Sequence, residues 1–167
     1  MKFLLAFDGS PSGQHALEKA IHLTRSTDGE LILMTAIEPM QSVSPPNAIT
    51  PTGDPTIDWQ NAADKDWQAD LEKVINEQHS RLQQIGESML SAAVKQCEEA
   101  NIKHKTLVAI GVPRDEIVDT AEKEKPDVLI IGSRGHGPIK RLLLGSVSDY
   151  VVHHAHCSVL IVRPEDD

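Results

Sequence analysis

The 167-residue chain is predicted to fold as an α/β domain, with a five-stranded, mainly parallel sheet carrying helices on both faces. Two observations predict it. Segments of strand character alternate with segments of helical periodicity, in the order β-α-β-α-β-α-β-α-β, which is how parallel strands joined by crossover helices read in sequence. Several strand segments are continuous apolar runs, such as LILMTAI at 31–37 and DVLII at 127–131, rather than alternating ones. Strands covered on both faces require such runs. The crossovers are expected to be right-handed.

The elements follow in order. Lys2 to Phe7 (KFLLAF) forms the first strand, broken by Asp8-Gly9-Ser10. Ser10-Pro11 supplies a helix cap and a proline for the first helical position. Ala16, Leu17, Ala20, Ile21 and Leu23 then carry an apolar stripe at near-helical spacing to about Arg25, and Asp28-Gly29 turns the chain. Leu31 to Ile37 is the second strand. Residues 39–66 hold prolines 39, 45, 46, 51 and 55 and no periodicity, so a long loop is expected. A disordered segment is the simplest reading and a lid over the site the sharper one. Trp59 and Trp67, at its end and just beyond, are candidate anchors. From about Asp64 to Ala100 the pattern is helical, with Leu71, Val74, Ile75, Leu82, Ile85, Met89, Ala93, Cys97 and Ala100 as the apolar positions, Gly86 as a bend and Asn101 as the C-terminal cap. Lys105 to Ile110 is the third strand. Gly111-Val112-Pro113 leads into a helix that turns Ile117, Val118 and Ala121 inward and stops at Lys125-Pro126. Asp127 to Ile131 is the fourth strand. After a glycine-rich loop, Ser146 is expected to cap a helix with Val147, Tyr150, Val151 and His154 on one face, and Cys157 to Val162 forms the fifth strand.

Composition narrows the function classes. A net charge of −9 argues against nucleic acid or an anionic membrane surface as partner, because both reward excess Lys and Arg. No apolar run approaches the ~18 residues of a membrane span. The opening MKFLLAFDGS meets Asp8 too soon for a signal-peptide core. Cys97 and Cys157 read as lone thiols of a reducing, cytoplasmic compartment. His153-His154-x-His156 invites a metal reading, but neighbours on a helix point apart and no second ligand cluster matches them, so they read as helix-end histidines.

Ligands of open α/β sheets sit outside the carboxyl ends of the strands. Two such ends are equipped here, Asp8-Gly9-Ser10 after the first strand and Gly132-Ser133-Arg134-Gly135 after the fourth. Gly132 and Gly135 lack Cβ, so backbone can approach a ligand or take positive φ. Gly145-Ser146 opens a helix whose free N–H groups favour an anion. Asp8 is an acceptor suited to ribose hydroxyls or a base amine. Together the two ends suit a nucleotide.

The spacing Gly132-x2-Gly135-x9-Gly145-Ser146 resembles the G-2x-G-9x-G-[ST] signature of ATP-binding universal stress proteins. So do the turn FDGS, the stretch GVPRDEIVDTAEKEKPDVLIIGSRG and the closing LLLGSVSDYVVHHAHCSVLIVRP, so the resemblance covers nearly the whole chain outside 39–66. It implies a single Rossmann-like domain over 1–167 that binds ATP, with AMP or cyclic AMP as alternatives and Mg²⁺ as an accompanying ion. By motif position, Asp8 resembles the residue that meets the adenosine moiety and Ala36 the one whose backbone meets adenine. Gly132, Arg134, Gly135, Gly145, Ser146, Val147 and Ser148 match the ribose and phosphate contacts. The resemblance further implies a homodimer through Cys157 to Val162 and an unidentified regulatory protein partner. The chain lacks a Walker lysine and an evident base paired with a nucleophile, so a stress-response protein that holds nucleotide is expected. A slow Mg-dependent hydrolase and a nucleotide-free interaction module are the alternatives.

Overall fold

The computed structural model describes residues 1–39, 65–133 and 144–163. Among them, five strands form one sheet: β1 (Lys2–Ala6), β2 (Glu30–Ile37), β3 (Lys103–Ile110), β4 (Val128–Gly132) and β5 (Ser158–Val162). The helices are α1 (Pro11–Ser26), α2 (Lys65–Glu99), α3 (Pro113–Glu124) and α4 (Ser146–His154). The strand order is β3-β2-β1-β4-β5 and every pair is parallel. The segments 40–64 and 134–143, which contain most of the expected long loop and of the glycine-rich loop, lie outside the described residues, as do 164–167.

Both faces of the sheet are covered, which is why its strands read as unbroken apolar runs. Phe3, Leu5, Phe7, Leu31, Leu33 and Ile130 pack against Ala16, Leu17 and Ala20 of α1 and Leu90, Ala93 and Cys97 of α2. Leu4, Ala6, Ile32, Met34, Leu129 and Ile131 pack against Ile117 and Ala121 of α3 and Val151 of α4. Each fully buried aliphatic side chain stabilises the fold by about 1.5–3 kcal/mol relative to exposure. The chain leaves β1 towards β2 and β3, then returns to the other side of β1 for β4 and β5. The switch point therefore lies between β1 and β4, where Ala6 is level with Ile131.

Local signals set the helix ends. The Ser10 side chain accepts the Gly13 N–H at 3.0 Å and Pro11 opens α1, as its sequence predicts. Asn101 takes a left-handed φ of 53° after α2, and the Asn101 and Ile102 N–H groups return to the Glu98 and Cys97 carbonyls, satisfying the last carbonyls of the helix. Lys125 does the same kind of work after α3 with a φ of 50°.

One expectation changes. The inward face of α2 runs through Gly86, Leu90, Ala93 and Cys97, whereas Val74, Ile75, Ile85 and Met89 are 49%, 55%, 44% and 36% exposed. Val74 and Ile75 lie in the stretch 72–81, which is exposed throughout, whereas Ile85 and Met89 stand one residue before the buried Gly86 and Leu90. Gly86 marks the contact with the sheet. A Cβ there would come within 2.3 Å of Val108 Cγ1 on β3, so glycine lets the helix lie close. On α4, Ser148 and Val151 are buried while His154 is exposed and stacks on the Tyr150 ring at 3.8 Å. Tyr150 and His154 therefore share a face of α4, as expected.

Glu124 ties the end of α3 to the sheet. Its carboxylate meets Lys105 Nζ at 2.7 Å and Lys2 Nζ at 3.2 Å. These two hydrogen bonds, Lys105's first, hold its carboxyl below the usual range.

Two predictions follow from this packing. Gly86→Val drives methyl groups into Val108 and is expected to cost about 1–3 kcal/mol in urea denaturation. Glu124→Gln is expected to cost no more than about 1 kcal/mol at neutral pH, because the group is close to water. A depressed carboxyl pKa contributes stability that is present above the unfolded value of ~4.3 and lost as pH falls through the folded one. The wild-type and Glu124→Gln denaturation midpoints should therefore converge on acidification below pH ~4.

Candidate functional site

The carboxyl end of β1 is built by a short turn. Phe7 N–H donates to the Met34 carbonyl at 2.8 Å, and the chain then leaves the sheet at the half-buried Asp8. Gly9 has a φ of 73°, a left-handed conformation that glycine adopts without strain. Asp8 Oδ1 accepts the Ser10 N–H at 3.0 Å, so the acid that ends the strand is fixed by the residue that caps the next helix.

One strand away, β4 ends in Gly132. Its φ is not positive, in contrast to the freedom expected from the sequence, since Gly9 is the one positive-φ glycine among the described residues. The reason for glycine is α1. A Cβ on Gly132 would lie 2.7 Å from Ser12 Oγ and 2.8 Å from the Ser12 carbonyl carbon. Gly132 thus brings the start of α1 against the end of β4.

Ser133 ties the two halves of the glycine motif together. Its N–H donates to the Val162 carbonyl at 2.7 Å. Its own carbonyl accepts the Gly145 N–H at 2.8 Å and the Ser148 hydroxyl at 3.1 Å. Gly132 and Gly145, 13 positions apart, are therefore neighbours. Ser133 Oγ is buried without a hydrogen-bond partner among the described residues. Such an atom marks a place where an outside acceptor or donor would be well received.

The opening of α4 differs from the expected one. The cap is Gly145, with φ −66° and ψ 155°, and no side chain closes the helix end. Ser146 is already the first helical residue, so its exposed hydroxyl does not occupy the capping position. The N–H groups of Ser146, Val147 and Ser148 have no acceptor within the helix, and they carry its positive dipole end. Ser148 is buried and its hydroxyl also donates to the Gly145 carbonyl at 3.0 Å, so what it offers outward is its backbone N–H. Asp149 stands in the same turn.

The switch point therefore brings Asp8, Gly132, Gly145, Ser146, Val147 and Ser148 to one edge. Ala36 is at the same edge on β2, half-buried and paired with Ala109. Arg134 and Gly135 lie outside the described residues, as do Lys140 and Arg141. His153 and His154 each place Nδ1 2.8 Å from a carbonyl of their own helix, those of Asp149 and Tyr150. Burial pushes the Cys97 thiol up to about 11, helped by the Glu98 charge, and raises that of Cys157. Sequence reasoning passed over Ser12 and Gly13, and placed Ser133 at the strand end without giving it a role. Only Gly13 left a signal, as a glycine inside a helix.

A profile described as the universal stress protein family matches residues 1–163. The chain belongs to the universal stress protein family. It is 30% identical to universal stress protein MJ0531 of Methanocaldococcus jannaschii over 97% of this chain and 81% of the relative. It is also 30% identical to universal stress protein YxiE of Bacillus subtilis, over 97% and 98%. Among solved structures, the hypothetical protein MJ0577 superposes with a TM-score of 0.72 at 25% identity, over 99% of this chain and 97% of that one. Two more distant members share the fold at a TM-score of 0.62. One is in complex with cAMP, at 23% identity over 99% and 98% of the chains. The other, from Arabidopsis thaliana, has AMP bound, at 21% identity over 100% and 94%.

If Gly132 is glycine because of α1, the universal stress protein fold itself needs it here. Gly132→Ala is expected to lower stability by about 1–3 kcal/mol in denaturant titrations without any ligand, because the methyl meets backbone that cannot swing aside.

Proposed function

We propose that this universal stress protein holds an adenine nucleotide at the β1–β4 switch point and acts as a stress-response regulator by binding it rather than by turning it over quickly. The observation that carries the reading is the pair of bonds at the Ser133 carbonyl, which set the uncapped N-terminus of α4 beside the end of β4 and across the switch point from Asp8. Phosphates fit the N–H groups of Ser146, Val147 and Ser148, with Gly135 and Arg134 completing that end. Asp8 fits the ribose, and the backbone at Ala36 fits the base. Ser133 Oγ, an orphaned buried hydroxyl, supports a polar occupant. Two fold relatives with cAMP and AMP support the ligand class. ATP is the nucleotide proposed here, accompanied by Mg²⁺, and AMP and cyclic AMP are the alternatives for the same site.

We also propose a cytoplasmic homodimer through β5, working with a regulatory protein partner. β5 is an edge strand, and its Val159, Leu160 and Ile161 remain only half-buried within one chain. Among the described residues no helix is long and apolar enough to cross a membrane.

Protein purified from cells is expected to release adenine nucleotide on denaturation, identified by mass spectrometry. Added ATP should raise the melting temperature, with about 2.7 kcal/mol gained at ~100 times the dissociation constant. Gly135→Val should abolish that rise and leave the ligand-free melt in place. A protein that carries no nucleotide and shows no rise would overturn the reading. Phosphate release with Mg²⁺ near ~10 s⁻¹ would make it an enzyme instead.

A further inference from the structure

We infer that Gly13 is a specificity-determining position, a glycine kept inside α1 so that the Asp8 carboxylate can hold the setting from which it reads ribose hydroxyls. This rests on the nucleotide reading above.

Gly13 is the third residue of α1 and is buried. Glycine is, after proline, the least favoured residue inside a helix, so its presence needs a cause. Conformation is not the cause, because the φ of Gly13 is not positive. Space is. A Cβ on Gly13 would come within 2.6 Å of Asp8 Oδ1. The next atoms are Ser10 Oγ at 3.3 Å, a tight approach that a few tenths of an ångström relieves, and the Asp8 nitrogen at 3.6 Å, an ordinary contact. The one serious conflict is therefore with the tip of a flexible side chain. A methyl group would turn the carboxylate and leave the backbone where it is.

That carboxylate is held from the other side as well, by the Ser10 N–H at 3.0 Å. The Ser10 amide holds Oδ1 over the first turn of α1, in the space that Gly13 leaves open. A carboxylate offers only acceptors, so it selects ligand hydroxyls and turns phosphate away. The neighbouring hydroxyls of a ribose present two donors, and a 2′-deoxyribose presents one. A carboxylate in a fixed setting tells the two apart, and one that has been turned does not. Gly13 touches no ligand. It acts through Asp8 as a positioning residue.

Gly13→Ala tests this, read in three ways. Without ligand, the variant should stay folded and melt within a few degrees of the wild type, because the helix propensity gained with alanine offsets the displaced Asp8–Ser10 hydrogen bond. Its Ser10 amide should move in a ¹H–¹⁵N spectrum because the acceptor has been displaced. With ligand, ATP should bind about tenfold more weakly, and the preference for ATP over 2′-deoxy-ATP should shrink. Adding Gly13→Ala to Asp8→Asn should weaken binding no further than Asp8→Asn alone. An unfolded variant, an unmoved Ser10 amide, an unchanged preference between the two nucleotides, or additive losses would each overturn the inference. If the wild type binds no adenine nucleotide, the ribose role falls with the proposed function, while the Ser10 amide still decides whether Gly13 sets Asp8.

Discussion

The hydrogen bond from the Gly145 N–H to the Ser133 carbonyl, at 2.8 Å, determines where α4 begins. The rest of the site depends on it. The residue after β4 must turn its carbonyl to α4, and Ser133 does so while its N–H stays on the Val162 carbonyl of β5. The Ser148 hydroxyl then takes the same carbonyl and also the Gly145 carbonyl, so the first turn of α4 is locked by its own side chain. Nothing in this arrangement uses the N–H groups that face outward. Among the described residues no side chain caps them, because the cap position is a glycine and the serine next to it is one place too late to close the end.

The sheet supplies the rigid floor for this edge. Leu4, Leu5, Leu31, Ile32, Leu33, Met34, Leu129 and Ile130 are fully buried, so β1, β2 and β4 cannot shift without opening a close-packed core. Parallel pairing points every carboxyl end the same way, and the strand order reverses at β1, the place where ligands of open α/β sheets bind. A ligand-binding edge in this fold is therefore a consequence of chain order, and residue choice at the strand ends decides its chemistry. Gly132 brings the start of α1 against the end of β4 at that point.

How much of this could be read in the sequence varies with the kind of interaction. The strands were legible because burial on both faces forces a continuous apolar run, as in Leu31 to Ile37. The start of α1 was legible because Ser10-Pro11 is a local signal, complete within four residues. The inward face of α2 was not. Ile85 and Met89 are apolar yet exposed, and Gly86 beside them makes the contact, because the phase is set by Val108 on a strand more than 20 residues away. The glycine motif was legible as a spacing but not as a mechanism. Gly132 turned out to serve α1, and Ser146 to stand inside the helix it was expected to cap. Both depend on partners distant in the chain, Ser12 and Ser133, for which sequence carries no local mark.

The two helices that begin at the switch point differ in a way that gives the site a direction. α1 closes its own N-terminus, with Ser10 accepting the Gly13 N–H and the Asp8 carboxylate accepting the Ser10 N–H beside it. A positive helix end that is already met by a hydroxyl and a carboxylate has little to offer an anion, and the carboxylate repels one. α4 leaves its N–H groups without a side-chain cap. One side of the site thus accepts hydrogen bonds and the other donates them. A symmetric anion would use only half of it. The ligand that uses both halves has hydroxyl donors at one end and negative charge at the other, and a ribose bearing phosphates has that polarity along its length.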